Sequence, residues 1–268
     1  MIAIRPPAVA GTFYPADAQE LRSLISRYLR AVRPINFLPK AIVAPHAGYI
    51  YSGPVAASAY AALATDSAVI TRVVLLGPSH WVALDGLAAS SAAAFAMPLG
   101  DVAVDRAAVD LALTLPQVQV LDAAHVREHC LEVHLPFLQH LLTDFTIVPL
   151  LVGDAAPEEV SEVLEALWDG PETLIVISTD LSHYYDYRTA QRLDQETSRA
   201  IETLRLEDIR AEQACGRFAL QGLLSVARKR HLHGQTLDLR NSGDTAGPRD
   251  EVVGYGAWVF TAEARSPQ

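Results

Sequence analysis

Five short runs of Val, Ile and Leu are continuous rather than alternating: AIVA (41–44), RVVLLG (72–77), FTIVPLLV (145–152), TLIVIST (173–179) and EVVGYGAWVF (251–260). A strand with one wet face alternates apolar and polar residues. A strand that is apolar on both faces must be covered on both. Helical patterns lie between the runs. The clearest starts at Asp17, where Asp17 and Glu20 read as a capping-box pair and Leu21, Leu24, Ile25, Tyr28 and Leu29 fall on one face. Others are predicted over 54–64, 104–114, 132–142, 157–168, 188–203 and 215–229, with Pro157 at a first helical position. This alternation predicts an α/β fold, a three-layer sandwich around a largely parallel or mixed central sheet. One domain is expected over 1–262, with a flexible C-terminal tail over 263–268.

Composition narrows the function. Half of the 268 residues are hydrophobic and 19% are charged, enough for a large core. The formal net charge of −10 argues against nucleic acid as a partner, which would need a basic face. Two cysteines, Cys130 and Cys215, make no disulfide framework and fit a reducing, cytoplasmic setting. The N-terminal residues lack the pattern of a signal peptide, and no apolar stretch is long enough to predict a membrane span.

Three histidines share one context. His46 (APHAGYIYSG), His80 (GPSHW) and His183 (TDLSHYYD) each stand a few residues beyond the C-terminal end of a predicted strand. Ligands of open α/β sheets bind outside those ends, so three imidazoles delivered there can meet at one metal ion; imidazole suits Zn, Fe, Cu or Ni. Taken singly, each histidine more plainly serves a helix cap or a loop carbonyl. Asp180 and Asp244 are nearby carboxylates, for which a helix cap or an Asx-turn is an equal alternative. Two histidines with one carboxylate is the pattern of non-haem Fe(II) oxygenases. A competing reading is His125-Val126-Arg127-Glu128-His129, an H-x-x-E-H motif of a zinc hydrolase using His125 and His129. Glu132 and His134 follow as candidates for supporting or substrate roles. Cys130 lies in an apolar run and reads as buried and inert. No Walker loop, G-x-G-x-x-G after a strand or nucleophile elbow is present.

AGTFYP (10–15), APHAGYIYSG (44–53), LLGPSHW (75–81), EHCLEVHLPFL (128–138), STDLSHY (178–184) and NSGD…VVGYGA (241–257) together resemble the Memo family in order and spacing. In bacteria and archaea this family is the B component of the AmmeMemoRadiSam set. The resemblance implies a fold similar to class III extradiol dioxygenases and one divalent metal ion, Fe(II) before Cu or Zn. It implies His46 and His80 as metal ligands, His183 as acid/base with Asp180 beside it, and a third ligand near Asp244, with Ser242 and Thr245 as alternatives. Animal members have a cysteine at about that place, and this sequence has none there. Phe13, Tyr49, Glu132 and His134 are candidates for substrate binding. The resemblance thus favours a non-haem iron oxidoreductase. The alternative is a non-catalytic peptide- or protein-binding scaffold working with radical-SAM and AMMECR1-like proteins.

Overall fold

The computed structural model describes residues 3–33, 39–64 and 67–262; the expected tail at 263–268 lies outside them. The chain begins with β1 (Ile4–Arg5), α1 (Ala18–Arg30), β2 (Ala41–Ala44), α2 (Tyr49–Tyr60), β3 (Arg72–Pro78), β4 (Leu87–Ala89), β5 (Ala94–Phe95) and β6 (Val102–Ala103). It continues through α3 (Arg106–Ala112), β7 (Val118–Val120), α4 (Asp122–Val126), α5 (Leu135–Leu141), β8 (Thr146–Val152), α6 (Pro157–Ala166) and β9 (Thr173–Ser178). It closes with β10 (His183–Tyr185), α7 (Tyr187–Glu202), α8 (Arg217–Lys229), β11 (His233–Asn241), α9 (Ser242–Thr245) and β12 (Val252–Thr261).

Among the described residues the main sheet has nine strands in the order β10-β12-β2-β9-β3-β8-β4-β7, with β11 also paired to β12. Strands β2, β9, β3 and β8 run parallel, while β12 and β4 are antiparallel to their neighbours β2 and β8. The sheet is therefore mixed, with a parallel centre made from four of the five continuous apolar runs. Those four strands are buried almost throughout, as their lack of alternation requires. Helices flank the sheet: α1, α2 and α5 pack with one another, and α8 packs on α6 and on β3 and β9.

All five predicted strands are present to within a residue or so. The Asp17 carboxylate caps α1 by accepting from the backbone N–H groups of Gln19 and Glu20. Pro157 opens α6. The helix predicted over 132–142 begins instead as a 3₁₀ turn at Glu132–His134. The short strands β1, β4, β5, β6, β7 and β10 are too brief to leave a periodic signal.

The central strand order positions the site. His46 follows β2 by two residues, Asp180 follows β9 by two, and His80 follows β3 by two. Since β2, β9 and β3 are parallel neighbours, with Ala44 opposite Ser178 and Leu76 opposite Ile177, their C-terminal ends lie side by side. Three loops far apart in sequence thus leave from one edge.

Candidate metal centre

His46 is buried, and its Nδ1 lies 2.6 Å from Ser178 Oγ. That hydroxyl donates its own hydrogen to the Cys130 carbonyl, 2.7 Å away, so it accepts from His46 Nδ1–H. The lone pair of His46 is then on Nε2. His80 Nδ1 donates to Glu128 Oε1 at 2.8 Å, and His183 Nδ1 donates to the Leu181 carbonyl at 2.7 Å. All three imidazoles therefore present Nε2 as the free donor atom. Fixing one ring nitrogen by a carboxylate, hydroxyl or carbonyl is how proteins set the tautomer of a metal-binding histidine.

The third donor is a thiol. Cys215 Sγ lies 3.4 Å from His46 Nε2, and the donor atoms of His46, His80 and Cys215 all fall within 4.8 Å of one another. Tetrahedral bonds of ordinary length, ~2.0–2.1 Å to nitrogen and ~2.3 Å to sulfur, put N and S about 3.5 Å apart. The set fits one transition-metal ion. Cys215 stands in the loop that enters α8, where Gly216 lets the chain press against the end of β9. A side chain there would meet the Ser178 carbonyl at 2.4 Å.

A second donor group, His80, Glu128 and His129, has another explanation. Glu128 already accepts from His80 N, His80 Nδ1, His129 N and Cys130 N. Burial would raise its pKa, but the bond and charge of His80 outweigh that and pull it down to about 2. It is a carboxylate spent on orienting His80. His129 completes the wall: its ring stacks on His80 at 5.0 Å, and Phe13 packs edge-on against it at 4.8 Å.

Electrostatics set the protonation state in which each donor would meet a cation. Burial and then the neighbouring imidazoles push the His46 pKa well below its usual value, so the ring stays neutral. Burial also lowers His183. For His80, burial lowers the pKa but the Glu128 pair outweighs it and raises it. Burial, followed by the Asp180 charge, pushes the Cys215 thiol up to about 12, so a metal must displace its proton.

The structure relocates several residues expected from the sequence. Asp244 lies outside both donor groups: it accepts from Tyr187 Oη and, as the third residue of the capping box that Asn241 opens, from Asn241 N. Ser242 Oγ accepts from Val253 N, and Thr245 Oγ1 donates to the Ser242 carbonyl, so neither alternative takes that place. The thiol comes from an unrelated loop. A signal existed in the sequence: of only two cysteines, Cys130 sits in an apolar run and Cys215 in the polar stretch AEQACGRF. The H-x-x-E-H reading also fails. Helix α4 ends at Val126, so His125 and His129 share no helical face. His125 is buried with Nε2 3.1 Å from the Ala88 carbonyl, outside both donor groups.

Asp180 is buried and holds the His46 loop, accepting from His46 N at 2.8 Å; burial raises its pKa to about 7. Of the expected substrate-binding residues, Phe13 lines the site through His129, while the other three serve the interior. Tyr49 Oη donates to the Val133 carbonyl. Glu132 is fully buried on Arg5, Ala8, Val9 and Tyr14. His134 Nδ1 pairs with Tyr60 Oη in the core.

A buried carboxylate supports the His183 loop. Asp194 on α7 accepts from Ser182 N at 3.1 Å, and burial raises its pKa from 3.8 to about 6. The folded state therefore holds a proton that the unfolded state has released between those values. Its contribution to stability is complete below pH 3.8 and is lost as pH rises through about 6. Asp180 acts in the same sense up to about 7. Asp194→Asn is expected to flatten the decline of unfolding free energy over this range, measured by urea titration at stepped pH. An unchanged slope would exclude Asp194 as its source.

No helix among the described residues is long and apolar enough to cross a membrane. The model of the family described as "Memo-like protein" matches residues 5–259. A "MEMO1 family protein" of Aquifex aeolicus is 36% identical, over 96% of this chain and 99% of that protein. Another of Methanopyrus kandleri is also 36% identical, over 96% of this chain and 98% of its own length. A solved structure of an uncharacterized Escherichia coli K12 protein aligns with 83% of this chain and 99% of its own, at a TM-score of 0.48 and 14% identity, a likeness too slight to inform the site. With a family model spanning almost the whole sequence and full-length relatives at this identity, the chain belongs to the Memo family.

Proposed function

We propose that this protein is a metal-dependent oxidoreductase whose single ion is held by His46 Nε2, His80 Nε2 and Cys215 Sγ. The observation that carries the reading is the convergence of these three donors, with the Nδ1 atoms of both ligating imidazoles committed to Ser178 and Glu128. Two imidazoles and one thiolate form a softer set than the two-histidine, one-carboxylate pattern. They favour copper over Fe(II), with zinc as the redox-silent competitor. Such an ion would supply one-electron chemistry and Lewis acidity at the open side of the site. This chain's own residues supply the rest. Glu128 and Ser178 orient the ligands, His129 and Phe13 wall off one side, and Asp180 fixes the His46 loop. His183, neutral and with Nε2 free, is the acid/base group, as in the likeness to class III extradiol dioxygenases.

A second reading rests on exposed aromatics beside the histidines: Trp81 is 54% exposed and Tyr184 72%. Tyr184 adopts a left-handed backbone (φ 60°) at a bulge in β10, which turns its ring outward. These side chains suit a docking face for a partner protein, of the radical-SAM or AMMECR1-like kind. One experiment separates the readings: metal content alongside oxygen uptake with a panel of phenolic and thiol substrates. His183→Ala is expected to keep its metal and lose turnover, while His46→Ala and His80→Ala lose both. Metal-replete wild type that consumes no oxygen with any substrate would favour the docking reading.

A further inference from the structure

Arg5 is a charged residue buried to 7% exposure near the start of the chain, and every arm of its guanidinium is engaged. Nε donates to the His125 carbonyl at 2.8 Å, one terminal nitrogen donates to the Glu128 carbonyl, and the other pairs with Glu132 at 2.7 Å. That last nitrogen also lies 3.3 Å from the Pro6 carbonyl, and the guanidinium covers the Phe95 ring. Glu132 in turn accepts from Ala8 N, Val9 N and Tyr14 Oη. Residues 5–14 are thereby strapped across the 125–132 segment.

The strap bears on the site at a specific place. The segment between the end of α4 and the 3₁₀ turn at Glu132 has little regular structure of its own, yet it carries Glu128 and His129. Glu128 grips His80 twice, through the backbone N–H and Nδ1, and His129 stacks on the same ring. Arg5 grips the backbone carbonyl of Glu128 itself. The same strap brings Phe13 against His129. We propose that Arg5 and Glu132 form a positioning unit for His80, setting the direction of its Nε2 through the 125–129 segment. The inference rests on the metal-site reading above.

The alternative is that the pair only stabilises the fold. Guanidinium geometry separates the two. A lysine keeps the charge beside Glu132 but cannot span two carbonyls and a carboxylate at once. Arg5→Lys is expected to bind Co(II) about 10- to 100-fold more weakly, the range for loss of a partner that orients a metal ligand, with an altered thiolate-to-cobalt absorption band. Arg72→Lys is the control. Arg72 forks between Asp105 and Asp169 at the start of β3, the end of that strand opposite His80. It should leave affinity and spectrum unchanged. If Arg5→Lys does not fold, Glu132→Gln carries the same test, since it keeps the guanidinium and the side-chain shape. Wild-type affinity and spectrum in the folded variant would overturn the proposal. A metal-free readout keeps this separate from the metal-site reading. The ¹⁵N resonances of the His80 ring should move in Arg5→Lys and not in Arg72→Lys, whether or not the wild type takes up metal. Unmoved His80 resonances would also overturn it.

Discussion

Cys215→Ala is expected to weaken metal binding ~100- to 1000-fold. A closed four-donor site binds zinc with ~10–16 kcal/mol, so one donor contributes ~2.5–4 kcal/mol, about two to three decades of affinity. His129 and Glu128, the other groups close to His80, are committed to each other and to the backbone. Binding to the wild type should also release at least one proton per ion. The Cys215 thiol, pushed up to about 12, arrives protonated and His46 arrives neutral, while Glu128 raises the pKa of His80, which adds a further share toward acid pH. Calorimetry in buffers of different ionisation enthalpy counts that proton, and Cys215→Ala should lose it. Cys130→Ala and His125→Ala are the comparisons, since both side chains point into the interior and bond carbonyls. Metal loss in His125→Ala equal to that in Cys215→Ala would move the site away from the three donors named here.

Glu132→Ala, which removes the acceptor that holds the N-terminal strap, is expected to be strongly destabilising. Removing one partner of a buried ion pair leaves the other charge uncompensated and costs ~3–5 kcal/mol. The Arg5–Glu132 pair is buried on both sides, with side-chain exposures of 6% and 0%. Three further donors, Ala8 N, Val9 N and Tyr14 Oη, lose their acceptor at the same time. An exposed pair such as Arg192–Glu196 sets the opposite limit, since its loss should cost less than ~1 kcal/mol. Urea unfolding of Glu132→Ala and Glu196→Ala measures the contrast. Equal effects would mean that the strap is dispensable for stability.

What the sequence made legible follows from how far each signal reaches along the chain. The strands of the sheet centre were readable because burial on both faces writes an unbroken apolar run into four to seven adjacent residues. His46, His80 and His183 were readable because each directly follows such a run. Cys215 left only a weak mark, a cysteine in a polar stretch, because it follows no strand. Its place is set by a bond from its backbone N–H to the Asp180 carbonyl and by the missing side chain at Gly216. Neither leaves a local pattern. Asp244 misled for a related reason. An Asn-Ser-Gly-Asp turn looks alike whether its carboxylate binds an ion or caps the turn, and here it caps. Glu132 and His134 have the residue types of a site and sit beside it in sequence, but the 3₁₀ turn that begins at Glu132 carries both inward.

The spread of the donors along the chain has a consequence for biogenesis. His46 and Cys215 are 169 residues apart, and Arg5 waits 127 residues for its carboxylate. The three-donor site itself cannot assemble before Cys215 has been made and the central strands have paired. At that site, metallation would be a late event that reports a finished fold.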